Sequence, residues 1–246
     1  AIFSGVWKDY TISRDSDGSF NFSGPDGVDK VLNVEKFEFG NTAPFDASQI
    51  LNDAPTAVAD VNGSDAVIET GAAVAGDNCA VGNVLSNDTD LDAVLGDTKT
   101  VTQVVSTSTG SNVTGTVGSP LTGLYGSLTL SANGAWIYQL NNSDADTQHL
   151  PQGAVVTEAF TYKMVDAHGL ESTSTLTVTI HGTNDVPVIG NSATALVGAV
   201  TEAGNLDNGA ATAGTAIVSG QLSATDVDLN ATQTWTIEGT PSSTYG

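Results

Sequence analysis

Gly126-Ser127-Leu128-Thr129-Leu130-Ser131-Ala132-Asn133-Gly134-Ala135-Trp136-Ile137-Tyr138-Gln139-Leu140 is the stretch that decides the fold. Two short runs of β-forming residues flank Ser131-Ala132-Asn133-Gly134, and an Asn-Gly pair suits the positive φ of a hairpin turn. Outward from this hairpin the same pattern continues. Strands are expected at 66–69, 82–85, 99–105, 158–164 and 174–180, each bounded by turn residues. About seven short strands in one region are the signature of an antiparallel sandwich. No segment carries sustained helical periodicity, and Asp144 to Leu150 reads as a short helical or irregular turn.

Residues 1–51 read as a separate small β segment. Ser19-Phe20-Asn21-Phe22 alternates as a half-buried strand does, between the turn signals Ser16-Asp17-Gly18 and Gly24-Pro25-Asp26-Gly27. Val31 to Phe39 gives a further alternating strand, and the run around Trp7 and Tyr10 is also read as extended.

Two near-identical joints punctuate the chain, Leu51-Asn52-Asp53-Ala54-Pro55 and Thr183-Asn184-Asp185-Val186-Pro187. Proline fixes φ and pushes the preceding residue to extended conformations, while Asn and Asp set side-chain oxygens beside a turning backbone. The motifs downstream of the first joint recur downstream of the second. Val67-Ile68-Glu69-Thr70-Gly71 is matched by Val200-Thr201-Glu202-Ala203-Gly204, Thr89-Asp90-Leu91-Asp92 by Thr225-Asp226-Val227-Asp228, and Leu124-Tyr125-Gly126 by Thr244-Tyr245-Gly246. A period of roughly 120 to 135 residues is a tandem array. The expected units are 1–51, a complete sandwich over 52–185, and the N-terminal half of a second one over 186–246. The last sandwich is incomplete, so either it belongs to a longer chain or another chain supplies its missing strands.

As a set, Glu-x-Gly, Thr-Asp-x-Asp, Tyr-Gly-x-Leu-x-Leu, Asn-Gly-x-Trp-x-Tyr, Val165-Asp166-x-x-Gly169 and the closing Asn-Asp-x-Pro resemble VCBS repeats, the bacterial cadherin-like modules of large secreted adhesins. The resemblance implies an all-β architecture of tandem Ig/cadherin-like antiparallel sandwiches. Asp26-Gly27-Val28-Asp29 with Leu32 and Phe37-Glu38-Phe39 resembles the segment that often follows RTX calcium repeats, although the glycine-rich nonapeptides themselves are missing. These likenesses imply an extracellular or cell-surface protein exported by a type I system, with a role in adhesion, biofilm or an extracellular fibre.

The acidic residues are the candidates for chemistry. Calcium takes six to eight oxygen ligands, which carboxylates and amide carbonyls supply. Asp90-Leu91-Asp92, if extended, puts both carboxylates on one side of the backbone, where they repel unless a cation or donors neutralise them. The candidate ligands are Glu69, Asp90, Asp92 and Asn184-Asp185 for the middle unit, Glu202, Asp226 and Asp228 for the third, Asn52-Asp53 for the first joint, and Asp166 in its turn. The family resemblance implies that the joint at Asp185 collects Glu202 with Asp226 and Asp228, or the equivalents from the middle unit. Two readings stay open: these acids bind Ca2+, or they cap turns on a solvated face. For Asp166 a self-capping turn competes with a ligand role.

Six Lys and Arg against 28 Asp and Glu give a formal charge of −22. Such a chain repels nucleic acid and anionic lipid. No apolar run is long enough to insert in a bilayer. Catalysis has no visible constellation. His149, His168 and His181 are scattered, Cys79 lacks a basic neighbour, and neither a Gly-x-Ser-x-Gly elbow nor a phosphate loop occurs. Trp7, Trp136 and Trp235 in strand-like settings read mainly as core, with binding of cell-surface or matrix glycans as the competing reading. The function expected is therefore a non-catalytic, calcium-stiffened adhesive module whose partners are neighbouring repeats. An accessory or carbohydrate-binding region of a secreted RTX-type enzyme is the alternative.

Overall fold

The computed structural model describes residues 1–40, 42–108, 110, 112–192 and 197–239. The expected match of Thr244-Tyr245-Gly246 to Leu124-Tyr125-Gly126 lies outside these. Its strands form separate sheets along the chain, and helix is confined to short turns.

In the first 50 residues, β1 (Ile2–Phe3), β5 (Lys36–Phe39) and β6 (Phe45–Asp46) make one sheet, and β2 (Thr11–Arg14), β3 (Phe20–Gly24) and β4 (Gly27–Val31) another. Their shared core is aromatic: Phe3, Trp7, Tyr10, Phe20, Phe22, Phe37 and Phe39, closed by Ile50. Trp7 is not on a strand. It opens a 3-10 turn, Trp7–Asp9, which carries the ring inward, and its Nε1 donates to the carbonyl of Ile50 at 3.2 Å.

The middle unit is a sandwich of two sheets. One holds β7 (Asp60–Val61), β8 (Val67–Ile68), β10 (Thr100–Ser106), β11 (Val113–Gly115), β15 (Val155–Val165) and β16 (Glu171–His181). The other holds β9 (Cys79–Asn83), β12 (Pro120–Thr122), β13 (Gly126–Leu130) and β14 (Ala135–Leu140). The hairpin expected from Asn133-Gly134 forms as read. Leu130 pairs with Trp136 and Leu128 with Tyr138, and Gly134 takes φ +83°. A residue with a Cβ would be strained there, and its methyl would crowd Leu85 and Asn83. A single turn, α1 (Ala145–Gln148), occupies the expected irregular stretch, with Asp144 accepting from the Asp146 amide at 2.9 Å. Val67, Leu128, Leu130, Trp136, Tyr138, Phe160, Tyr162, Leu176, Val178 and Ile180 fill the space between the sheets. Each such side chain contributes about 1.5–3 kcal/mol by leaving water.

The β15–β16 hairpin sets the long dimension of the sandwich. Its strands pair over eleven residues each, from Val155–His181 at one end to Val165–Glu171 at the other. At a rise of about 3.3 Å per residue, those ends are roughly 33 Å apart. The first joint lies at the turn end and the second at the open end.

Among the described residues beyond Pro187, the strands are two residues long: β17 (Val188–Ile189) with β20 (Ala224–Thr225), and β18 (Gly204–Asn205) with β19 (Ala211–Thr212). Its apolar side chains stay largely exposed, Ile217 and Ile237 among them. Trp235 shares that exposure at 47%, which corrects its reading as core, while Trp7 and Trp136 are buried.

Candidate metal centre

Each joint brings a linker aspartate onto the Asp-x-Asp motif downstream of it. At the first, the Asp53 amide donates to Asp92 Oδ2 at 2.5 Å, and the Asp92 amide to Asp90 Oδ1 at 2.8 Å. At the second, the Asp185 amide donates to Asp228 Oδ2 at 2.9 Å, and the Asp228 amide to Asp226 Oδ1 at 3.0 Å. The two-bond pattern is the same, residue for residue, at both places.

The backbone of Asp90-Leu91-Asp92 is not a continuous strand, which corrects the extended reading. Asp90 is extended (φ −144°, ψ 129°) and caps a 3-10 turn over Leu91–Leu95. An Asp at such a position satisfies an orphan amide of the first turn, and that bond turns Asp92 back beside it. Leu91 is thrown out to solvent at 76% exposure. The turn ends at Gly96, which takes φ +91° and delivers Asp97 to the same place. One carboxylate oxygen from each of Asp90, Asp92 and Asp97 lies within 4.8 Å of the others.

The β15–β16 turn closes this group. Asp166 Oδ1 accepts from the amides of His168 (2.8 Å) and Leu170 (2.9 Å), and its Oδ2 from Asn52 Nδ2 at 2.7 Å. Asp166 thus caps its own turn and also ties that turn to the linker. Asp97 Oδ1 accepts from the Ala167 amide at 2.9 Å. His168 lies between Asp97, 3.5 Å from its Nδ1, and the ring of Trp7, whose centroid is 4.5 Å away.

At the second joint the preceding unit contributes a carboxylate. Glu69, immediately after β8, is fully buried. Its Oε2 accepts from the Thr183 amide at 3.2 Å, and Thr183 Oγ1 donates to the Glu69 carbonyl at 3.2 Å. Asn184 is exposed; its side-chain amide donates to the Asp185 carbonyl, while its own carbonyl accepts from the Ala72 amide. The carboxylates acting on Asp185 are those of Asp228 and Asp226.

The family model for bacterial cadherin-like domains matches residues 52–182, just over half of the sequence. The chain belongs to the bacterial cadherin-like domain family. A search of curated proteins finds no match. Among solved structures, an endo-fucoidan hydrolase of glycoside hydrolase family 107 is similar at 14% identity and a TM-score of 0.25. That likeness covers 69% of this chain and 25% of the other.

The unmet polarity of the cadherin-like module and its neighbours is concentrated at the two joints. Among the described residues, nine buried side-chain N or O atoms lack a hydrogen-bond partner. Three are oxygens at the first joint: Asn52 Oδ1, Asp90 Oδ2 and Asp97 Oδ2, the last of which faces His168 Nδ1 at 3.5 Å. Three more are oxygens at the second: Glu69 Oε1, Asp185 Oδ2 and Asp228 Oδ1. Buried polar atoms are almost always paired, and an orphan costs about 1–3 kcal/mol, more when charged. Burial pushes Glu69 up to about 7, helped by Asp185 and Asp228 and opposed by the Thr183 amide. Burial likewise raises Asp92 to about 6, with Asp53, Asp90 and Asp97 adding to the rise. Asp90 and Asp185 are raised for the same first reason. A hard divalent cation fits such a donor set: all-oxygen, anionic, buried and short of hydrogen-bond partners.

The candidate ligands thus divide by joint. Asn52, Asp53, Asp90, Asp92 and Asp166 meet at the first, joined by Asp97, which the sequence reading missed. At the second, Asp185 is bound to Asp228 and Asp228 to Asp226, with Glu69 held beside the linker through Thr183; among the described residues, the acidic group whose oxygens all lie within 4.8 Å of one another is Asp90, Asp92 and Asp97 at the first joint. Glu202 enters neither group: it is exposed beside the Thr201–Thr215 bridge. Glu69 serves the joint after its own module, and Glu202 is its repeat counterpart, so the same rule places Glu202 away from the joint that precedes it. Asp97 carries a readable signal, a Gly-Asp pair closing the turn that Asp90 opens.

Proposed function

We propose that this chain is a non-catalytic, structural and adhesive stretch of a large secreted bacterial surface protein, in which calcium stiffens the joints between tandem modules. Residues 1–51 are then a small RTX-associated β segment, 52–185 a complete VCBS-type module and 186–246 the N-terminal half of a second one, with RTX-type secretion. The convergence of Asp90, Asp92 and Asp97 at the first joint, with buried carboxylate oxygens that accept no hydrogen bond at both joints, is the observation that carries the proposal. Without a cation, the clustered carboxylates repel and each linker swings. With one, charge is neutralised and adjacent modules hold one angle. Membership of the cadherin-like family supports the structural role. Among the described residues, no helix is long and apolar enough to cross a membrane. The test is isothermal calorimetry of the whole chain with Ca2+, paired with small-angle scattering in calcium and in EDTA. Heat of binding with a longer, stiffer particle in calcium supports the reading; neither effect would refute it.

A further inference from the structure

Inside the module, away from both joints, Tyr162 Oη is surrounded by more acceptors than it has hydrogens. Asp60 Oδ2 lies 3.0 Å from it, the Val58 carbonyl 3.1 Å, Asp88 Oδ2 and Oδ1 3.2 and 3.3 Å, and the Val84 carbonyl 3.3 Å. A phenol has one hydrogen to give. Tyr162, Asp60 and Asp88 are all buried, so bulk water does not make up the difference. Asp88 has a donor of its own, the Val58 amide, 2.7 Å from its Oδ1. The groups facing Asp60 are Tyr162 from β15 and Asn87 and Asp88 from the turn after β9. Lys99 donates to the carbonyls of Asp88 and Leu85 in that turn. Asp60 stands on β7, the leading strand of the module, and β7 is thinly held: it pairs with β16 over two residues, Asp60 with Leu176 and Val61 with Thr177.

We infer that Asp60, Tyr162 and Asp88 form a proton-operated latch on β7: a proton taken from solvent by Asp60 lets its carboxyl donate to Tyr162 Oη, which frees the tyrosine hydrogen for Asp88 and fastens the strand to β15. Without that proton one hydrogen is left between two carboxylates, which repel. The two-residue strand is then the element that gives way, because β15 is paired along both of its sides. Burial holds Asp60 up at about 6, with the charge of Asp88 adding to the rise and the bonds from Tyr162 and Asn87 opposing it. A group raised in the folded state stabilises it while protonated, so the latch is closed in acid and opens as pH climbs through about 6. It stands apart from the calcium reading, since neither Asp60 nor Tyr162 is a candidate ligand at a joint.

Carbon-13 NMR of the aspartate carboxyls, on the full chain in EDTA, follows Asp60 directly. Its midpoint should fall at about 6, and Asp88→Asn should lower it by removing the like charge. Hydrogen exchange over residues 56–61, corrected for the intrinsic effect of pH, should show protection at pH 5 that drops roughly 10- to 100-fold at pH 8, while residues 171–181 keep theirs. Asp60→Asn carries side-chain hydrogens at every pH, so its leading strand should stay protected at both. An Asp60 midpoint at about 4, where an ordinary aspartate titrates, would overturn the latch. So would equal protection of 56–61 at the two pH values in the parent, or the same loss in Asp60→Asn. The two measurements on the parent need no variant to fold.

Discussion

Asp185 and Asp228 are 43 residues apart in sequence, yet the amide of one lies 2.9 Å from a carboxylate oxygen of the other. That bond fixes the segment after Pro187 to the linker. The second Asp228 oxygen is buried without a hydrogen-bond donor, and the charges of Asp185 and Asp228 both act on Glu69.

Calcium should raise the melting temperature of the whole chain. A ligand at about a hundredfold its Kd stabilises the bound state by about 2.7 kcal/mol. Differential scanning calorimetry in millimolar Ca2+ and in EDTA should therefore separate by several degrees. Coincident traces would count against cation sites at either joint.

Without calcium, stability should fall as pH rises. The folded state holds Glu69 near 7 and Asp92 and Asp60 near 6, all above their ordinary values, chiefly through burial. A carboxyl raised in the folded state favours folding while protonated and loses that advantage as pH climbs from about 4 through about 7. The EDTA form should thus melt higher near pH 5 than near pH 8, and calcium should erase the slope at alkaline pH. A metal-free melting temperature that rises over that interval would contradict the geometry.

Glu158 anchors the loop before β13 from inside the core. It is fully buried, accepts from Tyr138 Oη at 2.6 Å, and also takes the Leu124 amide. Burial raises its pKa, offset in part by the Tyr138 bond. Gly123 lies so close that a methyl group there would run into this carboxylate. Gly123→Ala should cost about 1–3 kcal/mol as an overpacked site, and Tyr138→Phe a similar amount by removing the donor to Glu158 Oε2. Urea unfolding of each variant measures this, and unchanged midpoints would refute it.

Trp7 ties the N-terminal segment to the module. Trp7→Ala should cost about 3–5 kcal/mol of local stability, as large buried aromatics do. Limited proteolysis should then cut residues 1–50 much faster while the module from 55 to 182 survives. Equal cleavage rates would mean that the contact with His168 does not hold the two together.

Much of the sandwich is legible in the sequence because its strands announce themselves locally. Asn133-Gly134 specifies its turn, and Phe160, Tyr162 and Met164 alternate over β15 as the buried face requires. The site is legible in residue type but not in partnership. Alternation cannot show that Asp90 bends Asp92 into a turn, because that depends on a side-chain cap rather than on strand period. Nor can spacing show that Glu69 faces the joint after its module and not the one before; that is decided by β8 lying parallel to the end of β16. Trp7 and Trp235 illustrate the same limit. Each sits in a run of β-type residues, and only the three-dimensional neighbours place one ring inside and the other in solvent.

The β15–β16 hairpin places Asp166, which receives the incoming linker, at one tip, and Glu69, which meets the outgoing one, at the other. A unit built this way carries a plug and a socket of fixed type. In a tandem array of such units every seam would use the same two ends, so a copy gained or lost would need no compensating change in its neighbours.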